Sequence, residues 1–200
     1  QKEMPLSGSP TIIGVSGSLR DDSHSRLLVQ DVLARSAARG AETAFIDLRR
    51  ENLPMCDGRT DSYGPGVDEL VARVKSADAF VIGTPEYHGG YSGVLKNFLD
   101  LMPIDAFRDK RVALVGAGGG RFGAENAMNQ LRTVFKNLEA WVLPVQATSA
   151  KGDIAQGMIV NDGLMARLQQ QADTLTATSP VPGPETGAVL AGTPPPCWSR

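Results

Sequence analysis

At 200 residues, the chain is long enough for one domain with a substantial core, and its 42% hydrophobic and 21% charged residues are typical of a soluble protein. The formal net charge of −2 and the pI near 5.7 argue against a nucleic-acid groove or a basic membrane-binding surface. No apolar run approaches the roughly 20 residues of a membrane span. The two cysteines, Cys56 and Cys197, have no CxxC spacing, which favours a reducing cytoplasm over a disulfide framework.

Short apolar runs alternate with helical patterns along the chain. The runs predict five strands, at 11–16, 42–48, 78–84, 111–117 and 141–145. The helical patterns lie between and after them, at 25–38, 67–76, 91–102, 123–138 and 161–176. This alternation predicts an α/β fold: a flavodoxin-like, doubly wound parallel sheet of five strands in the order 2-1-3-4-5, with helices on both faces.

The predicted domain covers residues 11–177. Residues 1–10 contain neither an apolar core nor a cleavage pattern, so we do not expect a signal peptide there. We expect a flexible start or an expression remnant. Residues 178–200 are rich in proline and glycine, which predicts an extended tail.

The first loop of interest, SGSLRDDSHSR (16–26), follows the first strand. In such a sheet, ligands bind outside the carboxyl ends of the strands, so the loops at that edge carry the functional prediction. This loop offers serine hydroxyls and Arg20 next to a helix N-terminus, a combination suited to a phosphate monoester. An N-capping cluster is the structural alternative. The loop lacks the G-x-x-x-x-G-K-[ST] frame, which argues against an ATP or GTP hydrolase.

The loop GAGGGRFGAEN (116–126) contains G-x-G-x-x-G at Gly118, Gly120 and Gly123. A dinucleotide-binding Rossmann motif is disfavoured, because the glycines follow the fourth strand and no acidic residue follows the next one. The favoured interpretation is a loop whose missing side chains let a flat ligand lie against backbone. A tight strand-to-helix turn is the alternative.

The stretch TPEYHGGYSGVLKNFLD (84–100) places Glu86, Tyr87 and His88 together after the third strand. These side chains could perform acid–base chemistry, or the loop could act through its backbone, with Pro85 and Gly89 shaping it. A metal site is not expected, because the only other histidine is His24 and no ligand spacing is present. A serine hydrolase is disfavoured because no G-x-S-x-G elbow occurs.

Two of these motifs resemble a known family. SGSLRxxSxSxxL after the first strand and GTPEYHGGYSGVLKNFLD after the third resemble the NAD(P)H-dependent FMN reductases, a family of flavin, quinone, chromate and azo-dye reductases. The resemblance covers about residues 11–175 and implies FMN as cofactor, NADPH or NADH as hydride donor, and a homodimer or homotetramer. No nucleic-acid or membrane partner is expected, because of the net charge and the lack of a long apolar run.

The resemblance also implies which residues hold FMN. The phosphate would be held by the first loop, at Ser16, Ser18, Leu19, Arg20, Ser23 and Ser25. The flavin ring would lie against the other two loops, at Pro85, Glu86, Tyr87, His88, Gly89, Gly116, Gly118, Gly119, Gly120 and Arg121. No catalytic side chain is required; the candidates are Tyr87, His88 and Arg121.

The function so predicted is hydride transfer from NAD(P)H through FMN to a quinone, a free flavin, a metal oxyanion or an azo compound. Two alternatives stay open: an FMN-dependent dehydrogenase of a small carboxylated metabolite, and a non-enzymatic FMN-binding electron carrier or sensor.

Overall fold

A computed structural model of the chain describes residues 8–59 and 61–177. Its strands are β1 (Thr11–Ser16), β2 (Glu42–Asp47), β3 (Ala79–Tyr87), β4 (Gly90–Tyr91), β5 (Arg111–Ala117), β6 (Trp141–Val142), β7 (Ala147–Ser149), β8 (Ile154–Ala155) and β9 (Met158–Ile159). Its α-helices are α1 (His24–Ala37), α2 (Pro65–Ser76), α3 (Gly93–Asp100), α4 (Glu125–Asn137) and α5 (Asp162–Thr176). The predicted tail, most of the predicted flexible start, and Cys197 lie outside the described residues.

The central sheet is parallel and runs in the order β2-β1-β3-β5, with β6 and β7 both pairing with the outer edge of β5. Helices cover both faces. This arrangement confirms the predicted flavodoxin-like fold, with β5 as the predicted fourth strand. No helix in the described part of the chain is long and apolar enough to span a membrane.

Adjacent residues of the central strands point to opposite faces, so each strand contributes to two cores. On one face, Ile12 and Val81 pack with α1 and α5 through a cluster that includes Val29, Val32 and Leu168. On the other, Ile82 lies among side chains of α2, α3 and α4: Leu70, Phe98, Leu131 and Phe135. Burial on both sides explains why these strands are almost continuously apolar.

The predicted fifth strand, 141–145, is wrong in its bounds. The strand consists of β6 and β7, separated by the segment 143–146, which contains Pro144. Because the ladder is interrupted there, the amide of Gln171 on α5 replaces the missing strand: its Nε2 donates to the carbonyl oxygens of Leu114 (2.8 Å) and Val145 (3.0 Å). The strand then resumes and carries the chain to the carboxyl edge of the sheet at Ser149.

Replacing Gln171 with leucine is expected to lower the free energy of unfolding by about 1–3 kcal/mol, because buried carbonyl groups lose their donor. Gln171 is fully buried, whereas Gln170 is exposed on the same helix, so Gln170→Leu is the matched control and should stay within about 0.5 kcal/mol of wild type. Urea unfolding followed by circular dichroism measures both. Equal stabilities of the two variants would contradict the bridging role.

Candidate active site

A cleft of 460 Å³ lies at the carboxyl edge of the sheet. Ligand pockets commonly have volumes of about 300–1,000 Å³. Four chain segments form its wall: the loop after β1, the last residues of β3, the end of β5 with the loop that follows it, and the segment after β7. The lining residues are Ser18, Arg20, Asp22, Ser23, His24, Ser25, Pro85, Glu86, Tyr87, Ala117, Gly118, Gly119, Ala150, Lys151, Gly152 and Ile154.

The β1–α1 loop brings hydroxyl groups and a helix N-terminus to one end of this cleft. Ser23 is the N-cap of α1, where its Oγ accepts a hydrogen bond from the Arg26 N–H (3.1 Å) and lies 3.1 Å from Ser25 Oγ. The first N–H groups of a helix have no intrahelical acceptor and favour an anion. The loop therefore combines the N-cap that the sequence offered as an alternative with the donors that a phosphate requires.

Arg20 and Asp22 form a two-bond ion pair on the cleft wall. Arg20 Nε lies 3.0 Å from Asp22 Oδ1, and Arg20 Nη2 lies 2.8 Å from Asp22 Oδ2. These hydrogen bonds lower the pKa of Asp22 and raise the pKa of Arg20, so both groups are charged at neutral pH. The guanidinium predicted to bind phosphate is thus paired with a carboxylate from its own loop.

Arg26 forms hydrogen bonds to the backbone of the β1–α1 loop. Its Nη1 donates to the Asp21 carbonyl (3.0 Å) and its Nη2 to the Arg20 carbonyl (2.7 Å), while its Nε lies 3.4 Å from Asp47 at the end of β2. The first helical turn and the neighbouring strand thereby fix the backbone of the loop. Sequence reasoning did not single out Arg26, because its partners are backbone carbonyls and a carboxylate 21 residues away.

The segment after residue 84 is a β-hairpin. β3 continues through Pro85 to Tyr87 and pairs antiparallel with β4. The turn consists of His88 (φ 52°) and Gly89 (φ 78°), both in the left-handed region that two-residue hairpin turns require. The predicted end of this strand at residue 84 is wrong, because β3 continues through Tyr87; Gly89 shapes the turn, as the sequence suggested.

The Glu86 carboxylate is engaged by helix α4. One of its oxygens accepts from the Ala127 N–H (2.9 Å) and the other lies 3.3 Å from Asn126 Nδ2. The N-cap residue of α4 offers no side-chain acceptor to the first turn. Glu86, on the hairpin, supplies an acceptor for a free N–H group of that turn instead. A carboxylate held in this way anchors the hairpin and is poorly placed to move protons in the cleft.

The β5–α4 loop folds closely on itself. The Gly118 N–H donates to the Ser149 carbonyl (3.1 Å), and a Cβ at Gly118 would overlap the carbonyl group of Gly123. Gly119 and Gly120 face open space, with no atom within 4 Å of a built Cβ. Gly116 lies under Met128 of α4 and under Ala124, the N-cap of that helix, and it does not line the cleft.

The segment Ala150–Gly152 after β7 completes the wall and was missed by the sequence analysis. Lys151 is exposed there. The predicted strand ended at Val145, so this segment fell too far from any strand end to be considered. The rule that ligands bind at carboxyl ends would have found it, had the strand been extended past Pro144.

The predicted site residues divide into two groups. Those on the cleft wall are Ser18, Arg20, Ser23, Ser25, Pro85, Glu86, Tyr87, Gly118 and Gly119. Those outside the lining are Ser16, Leu19, His88, Gly89, Gly116, Gly120 and Arg121. Of the three candidate catalytic residues, only Tyr87 lines the cleft. The Arg121 guanidinium instead lies 5.9 Å from the Phe122 ring centroid.

The cleft has the two kinds of surface that FMN requires. At one end, serine hydroxyls, Arg20 and the N-terminus of α1 suit a phosphate. At the other, Gly118, Gly119 and the hairpin backbone leave room for a flat ring system. Within residues 8–59 and 61–177, no cluster of three or more His, Cys, Asp and Glu side chains could hold a metal ion.

Comparison with known proteins identifies the family. Residues 10–153 match the family model of the NADPH-dependent FMN reductases. The FMN-dependent NADPH-azoreductase of Staphylococcus aureus is 32% identical over 151 residues, which cover 71% of this chain and 78% of the relative.

Solved structures of similar fold include an NADH:FMN oxidoreductase (TM-score 0.72, 23% identity, 86% of this chain and 92% of the other). Another is the NAD(P)H:acceptor oxidoreductase FerB of Paracoccus denitrificans (TM-score 0.69, 24% identity, 84% of this chain and 95% of the other). From its sequence and its fold, the chain belongs to the NADPH-dependent FMN reductase family, whose members are oxidoreductases that use FMN with NAD(P)H as electron donor.

Proposed function

We propose that this protein reduces a small, flat acceptor, such as a quinone or an azo compound, with electrons from NAD(P)H. One observation carries the proposal: a single cleft joins a loop of serine hydroxyls, Arg20 and a helix N-terminus to the glycine backbone of Gly118 and Gly119. That combination matches a cofactor that has both a phosphate and a planar ring.

The chain's own residues bind and orient the reactants. FMN, when bound in the cleft, would supply the redox chemistry between NAD(P)H and the acceptor. The β1–α1 loop holds the phosphate end of the cleft, and Arg26 keeps that loop in shape. Gly118 and Gly119 allow close approach of the ring to the backbone. Tyr87 lines the cleft and is half-exposed, so its ring is available to stack against a bound acceptor.

The dehydrogenase alternative requires that the metabolite lose a hydride to the cofactor and a proton to a nearby side chain. Glu86 is bound to the N-terminus of α4, and His88 lies at the hairpin turn outside the cleft lining. Glu86 and His88 are thereby unsuited to that role, which supports the reductase, although Tyr87 and His24 line the cleft. The S. aureus relative is named an azoreductase, which supports azo compounds as one acceptor class.

We also propose that the protein forms a homo-oligomer in the cytoplasm. Leu19 after β1, Tyr87 at the end of β3 and Phe122 after β5 are large, exposed side chains at the carboxyl ends of three neighbouring strands; Phe122 is 77% exposed. Apolar side chains that together form an exposed patch commonly mark an interface. Sedimentation velocity reports the assembly state directly. The free thiol of Cys56 fits a reducing compartment.

Anaerobic mixing of the FMN-loaded protein with NADPH tests the reductase proposal. The yellow flavin absorbance should bleach within the mixing experiment, and addition of a quinone or an azo dye should restore it. The same experiment with NADH compares the donors. If neither nucleotide bleaches the flavin while a small carboxylated metabolite does, the dehydrogenase alternative is correct and the reductase proposal is wrong.

A further inference from the structure

The ion pair between Arg20 and Asp22 lies where the phosphate of a ligand would bind. Both residues line the cleft, and their side chains are 66% and 74% exposed. Two of the guanidinium N–H groups that could contact a phosphate are already bonded to the carboxylate, at 3.0 and 2.8 Å. Carboxylate and phosphate compete for the same forked geometry of arginine.

We propose that Asp22 is an internal competitor of phosphate and sets the affinity of the β1–α1 loop for phosphate monoesters. This inference rests on the proposed function. Binding of FMN exchanges the Asp22 carboxylate on Arg20 for the phosphate dianion. The exchange favours a ligand of two negative charges over a monoanion, because only the stronger anion displaces a carboxylate that is already bonded.

Electrostatics give the expected sign. A phosphate in contact with Arg20 would lie within about 6 Å of the Asp22 carboxylate, close enough for the two anions to repel each other. An exposed ion pair contributes little to holding Arg20 in place. The cost of competition therefore exceeds the benefit of pre-positioning the guanidinium, and removal of the carboxylate should strengthen binding.

Asp22→Asn is the test, with Asp21→Asn as its matched control. Asp21 is next in the chain and also charged, but it pairs with Arg49 and does not line the cleft. Dissociation constants of FMN and of riboflavin are measured by flavin fluorescence on protein stripped of cofactor. We expect Asp22→Asn to tighten FMN about three- to tenfold, with riboflavin affinity and the Asp21→Asn control changed by less than about twofold.

The double variant Arg20→Ala/Asp22→Asn separates exchange from simple repulsion. If Asp22 acts by occupying Arg20, the gain from Asp22→Asn shrinks when Arg20 is absent. A gain that persists in full, an equal gain in Asp21→Asn, or weaker FMN binding in Asp22→Asn would each overturn the inference. Failure of the wild-type protein to bind FMN at all would instead overturn the proposed function.

Discussion

Replacing Arg20 with alanine is expected to weaken FMN binding roughly 10- to 150-fold while riboflavin binding changes by less than about twofold. Arg20 supplies the only arginine on the cleft wall of the described chain, next to three serines and the N-terminus of α1. Its contact with a phosphate would be charge-assisted and confined to the part of the ligand that riboflavin lacks. The two dissociation constants therefore separate loss of a phosphate contact from general damage to the cleft.

Arg50→Ala is the control for this prediction. Arg50 is an exposed arginine near Asp47, outside the cleft, so its removal changes the net charge by the same amount. If Arg20→Ala weakens FMN and riboflavin equally, the residue shapes the cleft without binding phosphate. If FMN affinity does not change, the phosphate does not bind at this loop.

The parts of the molecule that follow from periodicity could be predicted from the sequence. β1 and β5 begin and end at the predicted residues, because a run of apolar residues buried on both faces has few alternatives. In a parallel sheet, the segments at the ends of β1, β3 and β5 lie at the same carboxyl edge, independently of which side chains they carry. The cleft is where this rule locates it.

The parts that depend on tertiary contacts could not be predicted. From the sequence, Glu86 is an acid–base candidate. In the fold, its carboxylate accepts a hydrogen bond from the N–H of Ala127, 41 residues later. Arg20 looks like a free cation until the loop conformation brings Asp22 against it. The Lys151 segment could not be predicted, because the fifth strand is interrupted at Pro144 and its continuation was not recognised. The interruption is bridged by Gln171, which lies on a different element, helix α5. In each case the sequence pattern identified the residue as a candidate. Its role depends on a contact that only the folded structure shows.

The β5–α4 loop carries the second prediction of large effect. Gly118→Ala is expected to lower the free energy of unfolding by about 1–3 kcal/mol, because the new methyl group meets the carbonyl of Gly123 and must displace backbone. Gly123 cannot move freely, since it lies against Ser149 and Thr148. The loop must deform, so FMN affinity should fall by at least about tenfold as well. Urea unfolding and flavin fluorescence measure the two effects.

Substitutions at Gly119 and Gly120 test whether the glycines of this loop serve to make room for a ligand or only to form a tight turn. Both positions face open space in the chain itself, so Gly119→Leu and Gly120→Leu should each keep the wild-type stability within about 0.5 kcal/mol. Only Gly119 lines the cleft. A leucine there should fill the space of the flavin ring and weaken both FMN and riboflavin at least about tenfold, whereas Gly120→Leu should bind both normally. Normal flavin binding by Gly119→Leu would show that the ring does not lie against this loop, and the glycines would then serve only the turn.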